Sequence, residues 1–342
     1  MSHYQSLTVP TKDGGTATTM QSQYMSALLP LYRWLSNLQV SEPAASAHPV
    51  DSSEASPTNT PLVGARLPYD LGGIYDHLDG RVPGEHYGTT SFGLFSAIMY
   101  RLTGKPGYLG RAEAAMQFHM RTAPDEYAFS DWDYHWDFNN LAFVETYRML
   151  GSELTAELRG DCISTITSWK SNSNQATNWV AMRALAYLLR YELLRRPLDY
   201  LRYRKYLWTV RRRQLADGCF EDVPGQSRPI QYHAYVLALL HRIWMITGDA
   251  RVRKAFLRGV EYLCHWVDPV GDFNYTGRGQ RQLFGYACAT YALEAAKNLA
   301  PDRAGQLEFV RRQVWEFVMA HQQPDGHLPL ILTQGADHAR MG

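Results

Sequence analysis

No stretch of this chain reaches the roughly 18 consecutive apolar residues that a membrane-spanning helix needs. Net charge is nearly absent too: 34 Lys and Arg against 33 Asp and Glu leave +1. A nucleic-acid binder would show a basic footprint, so nucleic acid is not expected as a partner, nor is a membrane. The densest cationic run, Arg211-Arg212-Arg213, reads as a solvated helix face. Cysteine is scarce. Cys162, Cys219, Cys264 and Cys288 lie far apart with no CxxC or Cys/His spacing, so free thiols are expected and no metal or cofactor is called for. The first fifteen residues lack a basic region followed by an apolar run. As written the chain reads as cytoplasmic, and a leader removed upstream would make it secreted or periplasmic. Alternating strand patterns are missing as well.

What the chain does have is apolar mass and rings: 45% hydrophobic residues, with 22 Tyr and 9 Trp. At 342 residues it can bury a large core. A first helix is expected over about 17 to 40, from the spacing of Met20, Tyr24, Leu28, Leu31, Tyr32 and Leu35. Ser41 through Pro61 is rich in Ser, Ala and Pro and reads as a disordered or extended linker. The expected division is therefore 1–68, helix plus linker, and 69–342, one large domain. Turn markers at Thr103-Gly104, Leu150-Gly151, Arg196-Pro197, Thr247-Gly248 and Ala300-Pro301 recur at a nearly constant interval, with two helices to each unit. Such a period means a helical-hairpin array. The first helix of each pair is apolar nearly all round, as over 180–189 and 236–240, whereas the second carries the charges. A helix apolar on all faces is buried. An inner ring wrapped by an outer ring, an incomplete (α/α) toroid of five to six hairpins, fits this all-α pattern.

In such a ring the loops leading into the inner helices open at one end. They contain Glu85-His86-Tyr87, Trp132 to Asn140 (with His135, Trp136 and Asn139), Asn174-Gln175 to Asn178-Trp179, Ser227 to Tyr235, and Asp272 to Arg281. These loops are dense in polar and aromatic residues, which implies one shared cleft. Ser227-Arg228-Pro229-Ile230-Gln231-Tyr232-His233-Ala234-Tyr235 is the most reactive of them. A helix expected over 230 to 247 puts Tyr232 and Tyr235 on one face. An arginine beside a tyrosine favours its phenolate, so Arg228 is expected to tune one of them. Arg278 and Arg281, on a Gly-rich turn with Gln280 and after Tyr275, suit an anionic sugar through bidentate contacts. His86, Tyr87, His135 and Trp136 read as cleft walls.

The run Asp217-Gly218-Cys219-Phe220-Glu221 followed by Arg228-Pro-Ile-Gln-Tyr232-His233-Ala-Tyr235-Val-Leu237 resembles a motif of alginate lyases and heparinase-type lyases of the α/α toroid fold. The likeness spans about 20 residues, with a weaker one at Asn174 to Trp179. It implies β-elimination at a uronic acid, with the catalytic tyrosine on Tyr235 and its partner arginine on Arg228. It also implies an Asn and His pair near Asn174 to Trp179 that offsets the carboxylate. Ala176 stands where that histidine would fall, which leaves Asn178 or a neighbour such as Gln175, with His233, for that duty. An acidic polysaccharide is the expected substrate. The other readings are hydrolysis by two carboxylates among Glu85, Asp131, Asp133, Asp137 and Glu221, a uronate C5-epimerase, and a non-catalytic helical scaffold.

Overall fold

The computed structural model describes residues 16–41, 70–76, 80–84, 86–129, 135–169, 171 and 174–333, with backbone alone for 16–23 and 123–129. The linker after Ser41, Glu85, and Asp131 through Tyr134 lie outside the described residues. Among those described, eleven α-helices and no strand form. The helices are α1 (Thr16–Asn37), α2 (Gly88–Thr103), α3 (Pro106–Phe129), α4 (His135–Leu150), α5 (Ala156–Ser168), α6 (Thr177–Leu194), α7 (Pro197–Arg212), α8 (Ile230–Thr247), α9 (Ala250–Cys264), α10 (Leu283–Leu299) and α11 (Ala304–Met319).

Local chemistry sets the hairpin turns where the sequence marks them. Gly104 and Gly248 end α2 and α8 in the left-handed conformation, at φ 70 and 64. Each accepts no side-chain strain there because it lacks a Cβ. Thr155 and Asp249 cap α5 and α9 with their side-chain oxygens. Helices α2, α4, α6, α8 and α10 pack in succession, α2 on α4, α4 on α6, α6 on α8 and α8 on α10. They form an inner ring, and α3, α7, α9 and α11 pack back on their partners from outside. The chain is an α/α toroid. Its core is continuous from α2 to α11 and holds the nearly all-apolar faces of α6 and α8.

Ion pairs on buried carboxylates tie inner helices together. Arg183 on α6 meets Asp137 on α4 at 3.3 Å, and Arg242 on α8 meets Glu145 on α4 at 2.5 Å. Arg190 grips Asp199 with two bonds, Nε to Oδ2 at 2.9 Å and Nη2 to Oδ1 at 2.5 Å, which locks the α6–α7 hairpin.

The outer ring is joined by a recurring buckle. After an outer helix the chain turns through a glycine at φ near +90 whose missing Cβ makes room for the next outer helix. Gly218 (φ 98) sits so that a Cβ would be 2.4 Å from the Arg258 carbonyl of α9. The same approach brings Gly271 to Gln313 of α11, Gly326 to Pro30 of α1 and Gly72 to Ala114 of α3. Three buckles are clasped by a glutamine amide. Gln214 donates to the Gly218 carbonyl at 3.1 Å and to Ala255 of α9 at 2.8 Å. Gln322 donates to Gly326 and to Ala27 of α1, and Gln39 to Gly72 and Arg111 of α3.

By this geometry α1 belongs to the outer ring, between α11 and α3. Tyr32 packs on Phe92, Phe95 and Tyr108, and Arg311 of α11 donates to the Tyr24 hydroxyl at 2.8 Å. The boundary expected at residue 68 therefore does not separate α1 from the ring. The Ser/Ala/Pro-rich stretch is an insertion within one buckle, whose two sides stay bonded through Val40 to Gly73 at 2.9 Å and Gly72 to Val40 at 2.8 Å.

Candidate active site

At the mouth where the loops lead into the inner helices, rings form a nearly continuous belt. Tyr87, at the start of α2, stacks on Phe138 of α4 at 4.6 Å, and His135 lies edge-on to both Tyr87 and His86. Phe138 runs parallel to Tyr235 of α8 at 6.1 Å. Phe284 of α10 touches both Tyr235 and Tyr232, so these two tyrosines do share a face, as their three-residue spacing requires. Beyond Tyr232 lies Arg278, its guanidinium 5.4 Å from the ring centre.

This end of the belt is where charge gathers. The side chain of Arg278 is 63% exposed, and its Nη1 lies 3.4 Å from Oδ2 of Asp222, a residue only 3% exposed. Burial pushes the Asp222 carboxyl up from its ordinary value, opposed by Arg278 and then Arg213. Its Oδ1 has no hydrogen-bond partner, and neither amide atom of the fully buried Gln231, the residue before Tyr232, has one. The Tyr232 phenol is also raised by burial, with Arg278 opposing, so it stays protonated. Tyr275 is raised by burial as well and feels Tyr232, Asp222 and Arg278. Asp222 was not among the sequence candidates. The only signal for it was its place just before the Arg228 to Tyr235 motif, where the preceding Glu221 drew attention instead.

Other expected site residues sit elsewhere. Arg228 does not tune a tyrosine; its Nη1 pairs with Asp217 at 3.1 Å on an exposed surface. His233 does not face the cleft. Its Nδ1 accepts from the Phe220 amide at 3.1 Å and its Nε2 donates to the Gly259 carbonyl at 3.0 Å, so both ring nitrogens are spent on backbone. Burial pushes its pKa down to about 4, which keeps the ring neutral and unable to offset a carboxylate. Tyr235 donates to Met182 Sδ at 3.3 Å, and burial raises its phenol rather than favouring the phenolate. Arg281, at φ 55, is held by Asp272 through its Nε at 2.9 Å, and Asp272 also accepts from Tyr286 at 2.5 Å. It braces the loop and is not a spare cation for substrate. Gln280 is exposed on that loop.

The lead-in to α6 is a backbone scaffold. Asn174 Oδ1 accepts from the Ala176 amide at 2.7 Å, and Arg213 bonds the Gln175 carbonyl. The Thr177 amide donates to the Asp222 carbonyl at 2.7 Å, which fixes the Asp222 backbone to this helix. Asn178 is buried with its Oδ1 on the Trp179 amide at 2.9 Å, and Trp179 is half-buried. Asn139 is fully buried and accepts from Thr90 at 2.6 Å, while Trp136 beside it is half-buried. Asp325-Gly326-His327, which could be taken for a loop over the cleft, is a buckle against α1 with His327 stacked on Trp34 at 4.5 Å.

The class that this architecture defines is the α/α toroid, and solved structures agree. The chain is similar to cellobiose 2-epimerase from Bacillus thermoamylovorans B4167 (TM-score 0.61, 14% identity, 92% of this chain and 94% of that one). It is also similar to the GH76A alpha-1,6-mannanase from Salegentibacter sp. HEL1_6 (TM-score 0.59, 13% identity, 90% and 91%). A polysaccharide lyase matches with TM-score 0.53 and 16% identity over 74% of this chain and 81% of that one. No protein-family model matches the sequence, and no curated protein matches it.

Proposed function

We propose that the protein acts on a carbohydrate, as a lyase that cleaves a uronate-containing polysaccharide by β-elimination. The observation that carries this is the meeting of an exposed guanidinium, a protonated phenol and a buried carboxylate of raised pKa at the end of an aromatic belt. Stacked rings suit the apolar faces of sugars, and the similar solved structures, named as a lyase, an epimerase and a mannanase, support a sugar as substrate. Arg278 receives the uronate carboxylate, and offsetting that charge makes the neighbouring C5 proton removable. As Arg278 turns to substrate it leaves Asp222, which takes the C5 proton. The C5–H electron pair forms the C4–C5 double bond, the C4–O4 bond breaks, and Tyr232 protonates the departing oxygen. A proton passing from Asp222 to Tyr232 then restores both. Tyr235, Phe138 and Phe284 form the wall.

Incubation with a panel of uronic-acid polymers, followed by ultraviolet absorbance of the 4,5-unsaturated product, tests this. Depolymerisation without the chromophore would establish hydrolysis and remove the lyase reading. Solvent deuterium appearing at C5 without cleavage would establish an epimerase.

A further inference from the structure

Among the described helices α7 leaves the most large apolar side chains exposed, Leu198, Tyr200, Leu201 and Trp208. Leu198, Leu201, Lys205, Trp208 and Arg212 recur at three- and four-residue spacing, so they share one stripe. The three apolar members are 61%, 60% and 57% exposed. Arg212 lies over the Trp208 ring at 4.9 Å and Arg204 over the Tyr200 ring at 5.8 Å, while the helix's single carboxylate, Asp199, is buried against Arg190. The stripe therefore presents leucines and an indole among cations with no exposed acid.

We propose that this face of α7 is a docking surface for an anionic lipid membrane, on which the toroid lies as a peripheral protein, although the near-zero net charge of the chain gave no expectation of a membrane partner. Charge complementarity selects an anionic occupant. The leucines select lipid over the acidic polysaccharide, because a hydroxylated polymer offers nothing for two branched alkyl chains, whereas acyl chains near the headgroups do. Indole and the long Lys and Arg stems suit the same depth, apolar inward and charged head outward. A second copy of the chain is disfavoured, since a two-fold contact through this face would set cations against cations.

Co-sedimentation with phosphatidylcholine vesicles, with and without phosphatidylglycerol, tests the proposal. Binding is expected to the mixed vesicles alone and to weaken with salt. Replacing Arg204, Lys205 and Arg212 together by Gln is expected to lower partitioning about a hundredfold, at about fivefold per cation. Leu201→Ser with Trp208→Ser should lower it more than about tenfold at unchanged charge. These side chains are mostly solvent-exposed, so circular dichroism and the unfolding midpoint should match the parent. No sedimentation at low salt overturns the proposal, and so does anionic binding that the Leu201→Ser, Trp208→Ser variant retains in full.

Discussion

Asp222 and Tyr232 carry the proposed chemistry through the same physical device, burial beside one exposed cation. Burial raises both, and Arg278 pulls both down. Removing that cation should therefore expose the burial effect. In Arg278→Ala the acidic limb of the pH–rate profile, set by deprotonation of Asp222, should move to higher pH, and the maximal rate should fall by at least about a hundredfold. Asp222→Asn and Tyr232→Phe should lose activity to a similar degree, whereas Arg228→Ala, whose guanidinium faces Asp217, should stay within a few-fold of the parent. Steady-state rates on the cleaved polymer check all four; full loss in Arg228→Ala would restore the role that the motif resemblance implies for it. The tyrosine pair was legible in the sequence because spacing alone puts Tyr232 and Tyr235 on one face. Which of them meets a cation was not, since Arg278 comes from a loop more than forty residues away and reaches Tyr232 only through the packing of α10 on α8. His233 was misread for a related reason: a histidine at a helix start looks reactive until its two backbone partners are known. It belongs with His119 and His241, all buried and all pushed down from 6.5 to about 4 by burial. The unfolded chain charges these rings first as pH falls. Stability present above pH 6.5 is therefore lost between 6.5 and 4, by up to about 3 kcal/mol for each ring. Thermal unfolding midpoints measured across that window should drop steeply, and the slope should flatten in His233→Gln. An unchanged slope would mean that the ring is already solvated.

At the level of elements, the Asp-Gly turn at the head of the lyase-like motif has a structural explanation. Gly218 lets the loop after α7 approach the Arg258 carbonyl, and the same approach recurs at Gly72, Gly271 and Gly326 in loops with no such motif around them. Gly218→Ala meets that carbonyl at 2.4 Å in a left-handed backbone, whereas Gly225→Ala, at φ 74, meets nothing within 4 Å. The first substitution should lower the unfolding midpoint much more than the second, which carries only the local cost of about 1 kcal/mol for a side chain at positive φ. Equal midpoints would show that close approach to α9 is not what requires the glycine. Gln214→Ala takes the amide donor from the Gly218 carbonyl and a second donor from the Ala255 carbonyl, and should cost about 1–3 kcal/mol. The hairpins themselves were readable from Gly, Pro and Asp at their turns, and the inner helices from their lack of a polar face. The buckles were not, because Gln39 and Gly72 are separated by the inserted stretch, and nothing in a single sequence says that these two residues are four apart in every other clasp.

For the molecule as a whole, α1 decides whether the array behaves as a ring or as a row of repeats. A helical-hairpin period by itself fits either, and the apolar inner helices favour a ring. The sequence could not say what closes it, because the helix that does so precedes the insertion and looks detached. In a row, each repeat is stabilised by its neighbours alone, so damage at one end stays there. In a ring closed by α1, the first and last hairpins share one helix. Tyr32 touches Phe92 and Phe95 of α2 and Tyr108 of α3, while Tyr24, Ala27 and Pro30 of the same helix meet Arg311, Gln322 and Gly326 at the far end of the chain. Tyr32→Ala removes a buried ring and its bond to Ser96 at 3.0 Å, a loss of about 3–5 kcal/mol. Its effect should appear at both ends. Hydrogen exchange is expected to quicken in α2 and α3, which lose the contact directly, and also in α11 and the 322–327 turn, which lose a firmly seated α1. Arg311→Met, made from the opposite side, should quicken exchange in α1 and carry over to α2. If either substitution loosened only its own end of the chain, α1 would be a flap on one hairpin and the molecule an open array.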